Sequence, residues 1–311
     1  GATSGVFSFD LIMTLNQGLI AVGYFLFFFV FSLAMIWWQR RVQKTRLPFG
    51  DDLKLLRTPG ETQLKLTIKF QEDLFLWLGV SAGLPVLVFS GMLSLTGKLP
   101  AETQIAWLAL SVVAFIATFI ASARWLAAKS KENANRYLGY FGERIVAEHL
   151  EPLKPLGWRI FHDVPGQNNG TKFNVDHVAV GPQGVFAIET KTRRKGSARP
   201  GFDDHKVYFD GRSLVWPWGE DNHGLEQAER TSVWLANTLK DELGERVHVQ
   251  PILTLPGWWV EMKPSRDSRI CRVTNPKGLT KFLPSGSAIL SAQQINNIAV
   301  KLESRCRDVE Y

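Results

Sequence analysis

The stretch Thr171–Lys191, TKFNVDHVAVGPQGVFAIETK, decides the fold. Phe173–Val180 and Val185–Lys191 are rich in Val, Phe and Ile, and Gly181-Pro182-Gln183-Gly184 separates them. This pattern predicts a β-hairpin with a four-residue turn cluster. If the turn closes symmetrically, Val180 pairs with Val185, Asp176 lies opposite Glu189, and Asn174 lies opposite Lys191. Side chains alternate along a strand, so Asp176, Glu189 and Lys191 project from one face. Two carboxylates about 5 Å apart across a sheet repel by roughly 3 kcal/mol at an effective dielectric of about 20. A divalent cation would relieve that repulsion, and Mg²⁺ is typically held by one or two carboxylates plus waters and phosphates. The alternative is an exposed hairpin face with scattered charges.

The hairpin sits in a polar second half that reads as an α/β domain from about Lys131. Helices are predicted over Asn133–Leu150, Leu225–Lys240 and Ala288–Arg305. Strands are predicted over Trp158–Val164, Val247–Leu255 and Ile270–Thr274, with a turn at Gly166–Gly170. Lys206–Trp216 reads as a second hairpin, turning at Asp210-Gly211. Such alternation implies a mixed central sheet flanked by helices.

The first third is different. Leu19–Trp38, LIAVGYFLFFFVFSLAMIWW, carries no charge; at 1.5 Å per residue, twenty residues reach about 30 Å, the thickness of a bilayer core. Spans are likewise predicted at about 74–95 and 105–127, the former with Pro85 and Gly79-xxx-Gly83, a small-residue packing pattern. Arg40, Arg41, Lys44, Arg46, Lys54, Arg57, Lys65 and Lys69 crowd the segment 39–73, whereas Lys98 stands alone between the second and third spans. The positive-inside rule then predicts an outside N-terminus, a cytoplasmic 39–73 segment and a cytoplasmic domain over 131–311. Within the segment, Pro48–Asp52 resembles a turn, and Glu61–Gln71 alternates like a strand or lies on the membrane surface. The formal charge of +7 and pI near 9.4 favour a polyanionic partner. Cys271 and Cys306 lack metal-site spacing and read as reduced thiols.

An acid on one strand followed by Glu-x-Lys on the next suits metal-dependent phosphodiester hydrolysis: carboxylates hold the ion, and a Lys orients water or stabilises developing charge. At this point Tyr137–Lys195 resembles the nuclease-related domain, NERD, of the PD-(D/E)xK nuclease superfamily. The matching pieces are GERIVAEHL (Gly142–Leu150), NVDHVAV (Asn174–Val180), GPQGVFAIETK (Gly181–Lys191), LEQAER (Leu225–Arg230) and PILTLPGWWVE (Pro251–Glu261). The resemblance runs from about Lys131 to Glu261 and leaves out the apolar spans. It implies a restriction-endonuclease-like α/β fold, with Asp176 and Glu189 as metal ligands and Lys191 as the catalytic lysine. It further implies Glu143 as an auxiliary acid, Gln227 completing the site, and Mg²⁺, or Mn²⁺ as a substitute, as the cofactor.

Arg193, Arg194 and Lys195 follow the lysine and suit phosphate contacts. Trp216, Trp218, Trp258 and Trp259 could stack on bases, though Trp is more often core. His177 points away from Asp176 and suits packing or hydrogen bonding. The expectation is a membrane-anchored cytoplasmic endonuclease of a prokaryotic inner membrane. It cuts DNA ahead of RNA, serves in defence against phage or plasmid DNA, and has apolar helices that could also form a homo-oligomer. The alternative is a non-catalytic, membrane-tethered nucleic-acid-binding adaptor or an oligomerising sensor.

Overall fold

A computed structural model describes residues 23–24, 26–42, 53–262 and 270–309. The chain divides into two compact units, Gly1–Asp51 with Ile68–Asn133, and Asp52–Thr67 with Ala134–Tyr311.

In the first unit, residues 23–24 and 26–42 are helical. Helix α1 spans Glu61–Thr96 and helix α2 spans Ala101–Leu150. Among the described residues, these two helices are long and apolar enough to cross a membrane, by length and composition. Three were expected. Part of the remaining one, Leu19–Trp38, lies outside the described residues. The expected turn at Pro48–Asp52 also lies outside them. The Trp77 and Trp125 rings meet edge-on with centroids 4.9 Å apart, and Trp107 Nε1–H donates to the Met92 carbonyl at 2.7 Å. The Phe29 ring occupies the space a Cβ on Gly79 would need, so that glycine does permit close packing; Gly83 faces open space.

The strand-like alternation of Glu61–Gln71 is overturned, because these residues open α1. Local chemistry explains the change. Thr58 Oγ1 donates to Glu61 Oε2 at 2.5 Å, the Leu64 N–H donates to the Gly60 carbonyl at 2.9 Å, and Lys65 lies 3.6 Å from Glu61. An acid in the first turn and an i,i+4 pair both favour helix.

The second unit is built on a five-stranded mixed sheet, β2 (Arg159–Asn168), β3 (Thr171–Gly181), β4 (Gly184–Thr190), β8 (Val249–Thr254) and β10 (Arg272–Thr274). Strands β2, β3 and β4 form an antiparallel meander, whereas β8 and β10 continue parallel to β4. Strand β4 is buried along its whole length because helices cover both faces. Val178, Val180, Val185 and Ala187 pack with Leu235 and Leu239 of α3 (His223–Leu243) and with Ile298 and Leu302 of α5 (Ala292–Cys306). Ala179, Phe186 and Ile188 pack with Val146 and Leu150 of α2 and with Leu279 of α4 (Pro276–Phe282). A second sheet, ordered β7 (Gly219–Glu220), β6 (Leu214–Trp216), β5 (Lys206–Phe209) and β9 (Trp259–Met262), closes over a core containing Trp216 and Trp258. A short pair, β1 (Leu55–Leu56) with β11 (Arg307–Val309), joins segments far apart in sequence. Cys271 and Cys306 are buried and not disulfide-bonded.

Two turns differ from expectation. Strand β2 continues through Gly166 to Asn168, and the turn is Asn169-Gly170, both at positive φ (46° and 80°); that conformation is favoured in two-residue hairpins. Phe209 pairs with Leu214, so the second hairpin turns through four residues rather than Asp210-Gly211 alone. The Asp210 carboxylate organises this loop by accepting the Arg212 and Ser213 N–H groups, each at 2.8 Å.

Candidate active site

The β3–β4 ladder runs from Gly181↔Gly184 through Val180↔Val185 to His177↔Ile188 and stops there. The register is the expected one, but the strands part before Asp176 and Glu189 form a rung. Asp176 Oδ2 instead accepts the Thr190 N–H at 2.7 Å, and the Lys191 N–H donates to the Thr254 carbonyl of β8 at 3.0 Å. The expected pairing of Asn174 with Lys191 is absent, because β4 ends at Thr190. Parting the strands opens a notch between carboxylates while every backbone donor named here keeps an acceptor.

Around the notch, Glu189 is fully buried, and its Oε1 lies 2.7 Å from Lys191 Nζ. The same ammonium donates to Gln227 Oε1 on α3 at 2.9 Å. Glu143 on α2 is buried, not a solvated helix residue as its place off the apolar stripe suggests. Two glycines make these approaches possible. A Cβ on Gly142 would overlap the Thr192 side chain, and a Cβ on Gly224 would stand 2.9 Å from Lys191 Cγ.

The electrostatics follow from crowding. Burial raises the Glu143 pKa to about 8, with the charges of Asp163 and Glu189 adding to it; Lys191 and a Gly60 backbone hydrogen bond oppose. Asp176 is held well above the usual carboxylate range by desolvation, then by Glu189 and Glu143. Glu189 is raised by burial and pulled back by Lys191. Among the described residues, Glu189 Oε2 and Glu143 Oε2 are buried without a hydrogen-bond partner. Among the described residues, no group of three or more His, Cys, Asp or Glu side chains is arranged to hold a metal by itself. Two orphaned carboxylate oxygens beside mutually repelling acids fit a cation that takes few protein ligands and completes its shell with water and phosphate, as Mg²⁺ does.

Thus Glu143, Asp176, Glu189, Lys191 and Gln227 converge, whereas the three basic residues engage elsewhere. Arg193 pairs with Asp221 at 2.6 Å, Arg194 donates to the Ala134 carbonyl at 3.3 Å, and Lys195 Nζ lies 5.9 Å from the Trp258 ring centroid. All three side chains are exposed. Trp216 and Trp258 are buried and cannot stack on a base; Trp218 and Trp259 are exposed. His177 points to the other side of the sheet, its Nδ1 2.9 Å from His162 Nδ1. One ring donates and the other accepts, and burial lowers both pKa values, that of His162 to about 4.

Sequence reasoning missed a second polar cluster beside Glu143. Arg57 Nη1 donates to Asp163 Oδ2 at 2.8 Å, while its Nε and Nη2 grip both Asp308 oxygens at 2.6 and 2.7 Å. The Thr62 hydroxyl donates to Asp163 at 2.7 Å, and Asn174 Nδ2 donates to Asp163 Oδ1 at 3.0 Å. Asp163 itself sits at positive φ, 49°. Arg57 and Thr62 lie more than a hundred residues from Asp163, and Arg57 is further still from Asp308, so no local signal marks the cluster.

Residues 138–256 match the family described as NERD: Nuclease-related domain, and the match encloses Glu143, Asp176, Glu189, Lys191 and Gln227 while leaving out Arg57 and Asp308. No curated protein and no solved structure matches the chain. The chain therefore carries a nuclease-related domain at residues 138–256.

Proposed function

We propose that the protein is a membrane-anchored, metal-dependent nuclease of the PD-(D/E)xK type that hydrolyses phosphodiester bonds in DNA. The observation that carries this reading is the convergence of two buried acids, Glu143 and Glu189, and the half-buried Asp176 with a lysine held between Glu189 and Gln227. Asp176 and Glu189 are the residues that would hold Mg²⁺, with Mn²⁺ as a substitute. Such an ion, when bound, polarises the phosphoryl group and lowers the pKa of bound water. Lys191 donates toward the attacking water or the developing phosphate charge. Gln227 fixes the ammonium in place. Glu143, which burial leaves protonated near neutral pH, can hold or deliver a proton at a phosphate oxygen.

Membrane anchoring draws support from α1 and α2. Phe75, Ile105, Val113 and Phe119 are large apolar side chains exposed on these helices, and lipid is the solvent that removes their cost. A domain on the cytoplasmic side of a prokaryotic inner membrane would meet incoming phage or plasmid DNA, so defence is the role proposed, with oligomerisation through the apolar helices compatible with it. Purified full-length protein in detergent should nick or linearise plasmid DNA with Mg²⁺ and not with chelator. DNA binding without cleavage under either ion would replace the nuclease with the nucleic-acid-binding adaptor.

A further inference from the structure

A cleft of about 360 Å³ lies on the nuclease-related unit, lined by neither Glu143, Asp176 nor Glu189; its walls include Lys195, Lys277, His149, His205, Trp258 and Trp259. That volume falls within the roughly 300–1,000 Å³ of ordinary ligand sites. Among the described residues, no carboxylate lines it. Strand β9 is the edge of the second sheet, and its start splits two adjacent tryptophans between two environments. Trp258 is 3% exposed, in the core, and its Nε1–H donates to the Arg193 carbonyl at 3.3 Å. Trp259 is 62% exposed, although its backbone is fixed by an N–H donated to the His205 carbonyl at 3.0 Å. A large aromatic on a rigid strand, bare to solvent in a cleft that also carries Lys195 and Lys277, suits stacking with a base.

The cleft is also tied to the acids. Lys195 follows Lys191 by four residues, so their Cα atoms are no more than about 14 Å apart, and the Trp258–Arg193 hydrogen bond fixes the segment between them. Lys195 Nζ lies 5.9 Å from the Trp258 ring centroid, beside the cleft floor. His149 Nδ1 bonds the Ile145 carbonyl at 2.9 Å, which holds its ring on the cleft wall.

We propose that this cleft is a single-strand subsite, in which one unpaired base stacks on Trp259 while flanking phosphates contact Lys195 and Lys277. The proposal rests on the nuclease reading and names the form of nucleic acid it takes. In a duplex the base faces are occupied by neighbouring bases; a single or frayed strand presents them to an aromatic ring. The cleft adds Trp259 and Lys277 to the contacts, and the segment Lys191–Lys195 joins it to the acids.

The test is binding of labelled oligodeoxythymidine and of a duplex of equal length to the full-length protein in detergent. Chelator is present throughout, so cleavage does not enter. Trp259→Ala is expected to weaken single-strand binding about tenfold and duplex binding less than twofold, with Trp259→Phe restoring most of the loss. Lys277→Ala is expected to reduce the salt dependence of single-strand binding by roughly one phosphate contact. Both side chains are exposed, and unchanged thermal unfolding of the variants checks that they fold. Single-strand binding indifferent to Trp259→Ala would overturn the subsite, as would equal losses on both nucleic acids, and the nuclease reading would stand in either case. A wild type that binds no nucleic acid removes both. Binding that depends on Trp259 in a protein that never cleaves keeps the subsite and removes the nuclease.

Discussion

Asp176 accepts the Thr190 backbone N–H at 2.7 Å, one residue beyond the last rung of the β3–β4 ladder. The carboxylate thus closes a strand whose backbone partner has moved away. Asp176→Asn keeps an acceptor and removes a charge that Glu189 and Glu143 oppose. Asp176→Ala leaves the N–H without it, at a cost of about 1–3 kcal/mol. In metal-free protein the Asn variant is expected to unfold at a higher temperature than the Ala variant, with both inactive in cleavage. Equal melting of the two would show that this hydrogen bond holds nothing.

The raised carboxylates set a pH dependence. Glu143 has a folded pKa of about 8, above its ordinary value, so the folded state retains a proton that the unfolded chain releases. Its contribution is fully present below the unfolded value and is lost as pH rises toward 8. Metal-free protein should therefore melt lower at pH 8 than at pH 5.5, and Mg²⁺ should recover the loss at pH 8 by compensating the charges. Glu143→Gln should flatten the metal-free profile. Calorimetry in detergent checks all three, and a wild-type profile that rises with pH would contradict the assignment.

Lys191 is held by two neighbours, and only one of them carries charge. Gln227→Leu removes the 2.9 Å acceptor and leaves the Glu189 pair intact. It is expected to lower kcat about tenfold with little change in DNA affinity, against a loss of about a hundredfold or more for Lys191→Ala. A Gln227 variant with altered affinity and normal kcat would place that residue in binding instead.

Gly224 makes the same point through sterics. A Cβ there meets Lys191 Cγ at 2.9 Å and Leu253 methyls at 3.2 and 3.3 Å, and the flexible lysine is the group able to yield. Gly224→Ala is expected to reduce cleavage about tenfold while the melting temperature stays within a few degrees, as read by paired activity and unfolding measurements.

Arg57 pairs with Asp163, whose side chain is 4% exposed, and with the more exposed Asp308. Arg57→Ala leaves a buried charge unpaired, which typically costs about 3–5 kcal/mol. The double variant Arg57→Ala with Asp163→Asn should recover part of that loss, because the uncompensated charge is gone. Denaturant unfolding of the wild type and the two variants measures the recovery; its absence would assign the cost to lost packing.

How far the sequence carries depends on the range of the interaction. The hairpin register was legible because two-residue alternation and a Gly-Pro-Gln-Gly turn allow one pairing, and Val180 does face Val185. The parting of the strands at Asp176 was not, since it depends on β8 taking the Lys191 N–H. Glu143 looked like a surface acid because burial comes from Gly142 meeting Thr192, a contact between segments fifty residues apart. The Arg57 cluster joins positions 57, 163 and 308, where local pattern carries no information. In Glu61–Gln71 alternation misled, because the Thr58–Glu61 hydrogen bond and the continuing apolar helix outweigh a period-two pattern.

The most direct measurement is Mg²⁺-dependent cleavage of plasmid DNA by the full-length protein and by Lys191→Ala prepared alongside it. Expected is cleavage by the wild type that chelator abolishes, with the variant slower by about a hundredfold or more and DNA binding retained in both. Equal cleavage by the two proteins, or none by the wild type with Mg²⁺ and with Mn²⁺, would contradict a nuclease centred on Asp176, Glu189 and Lys191.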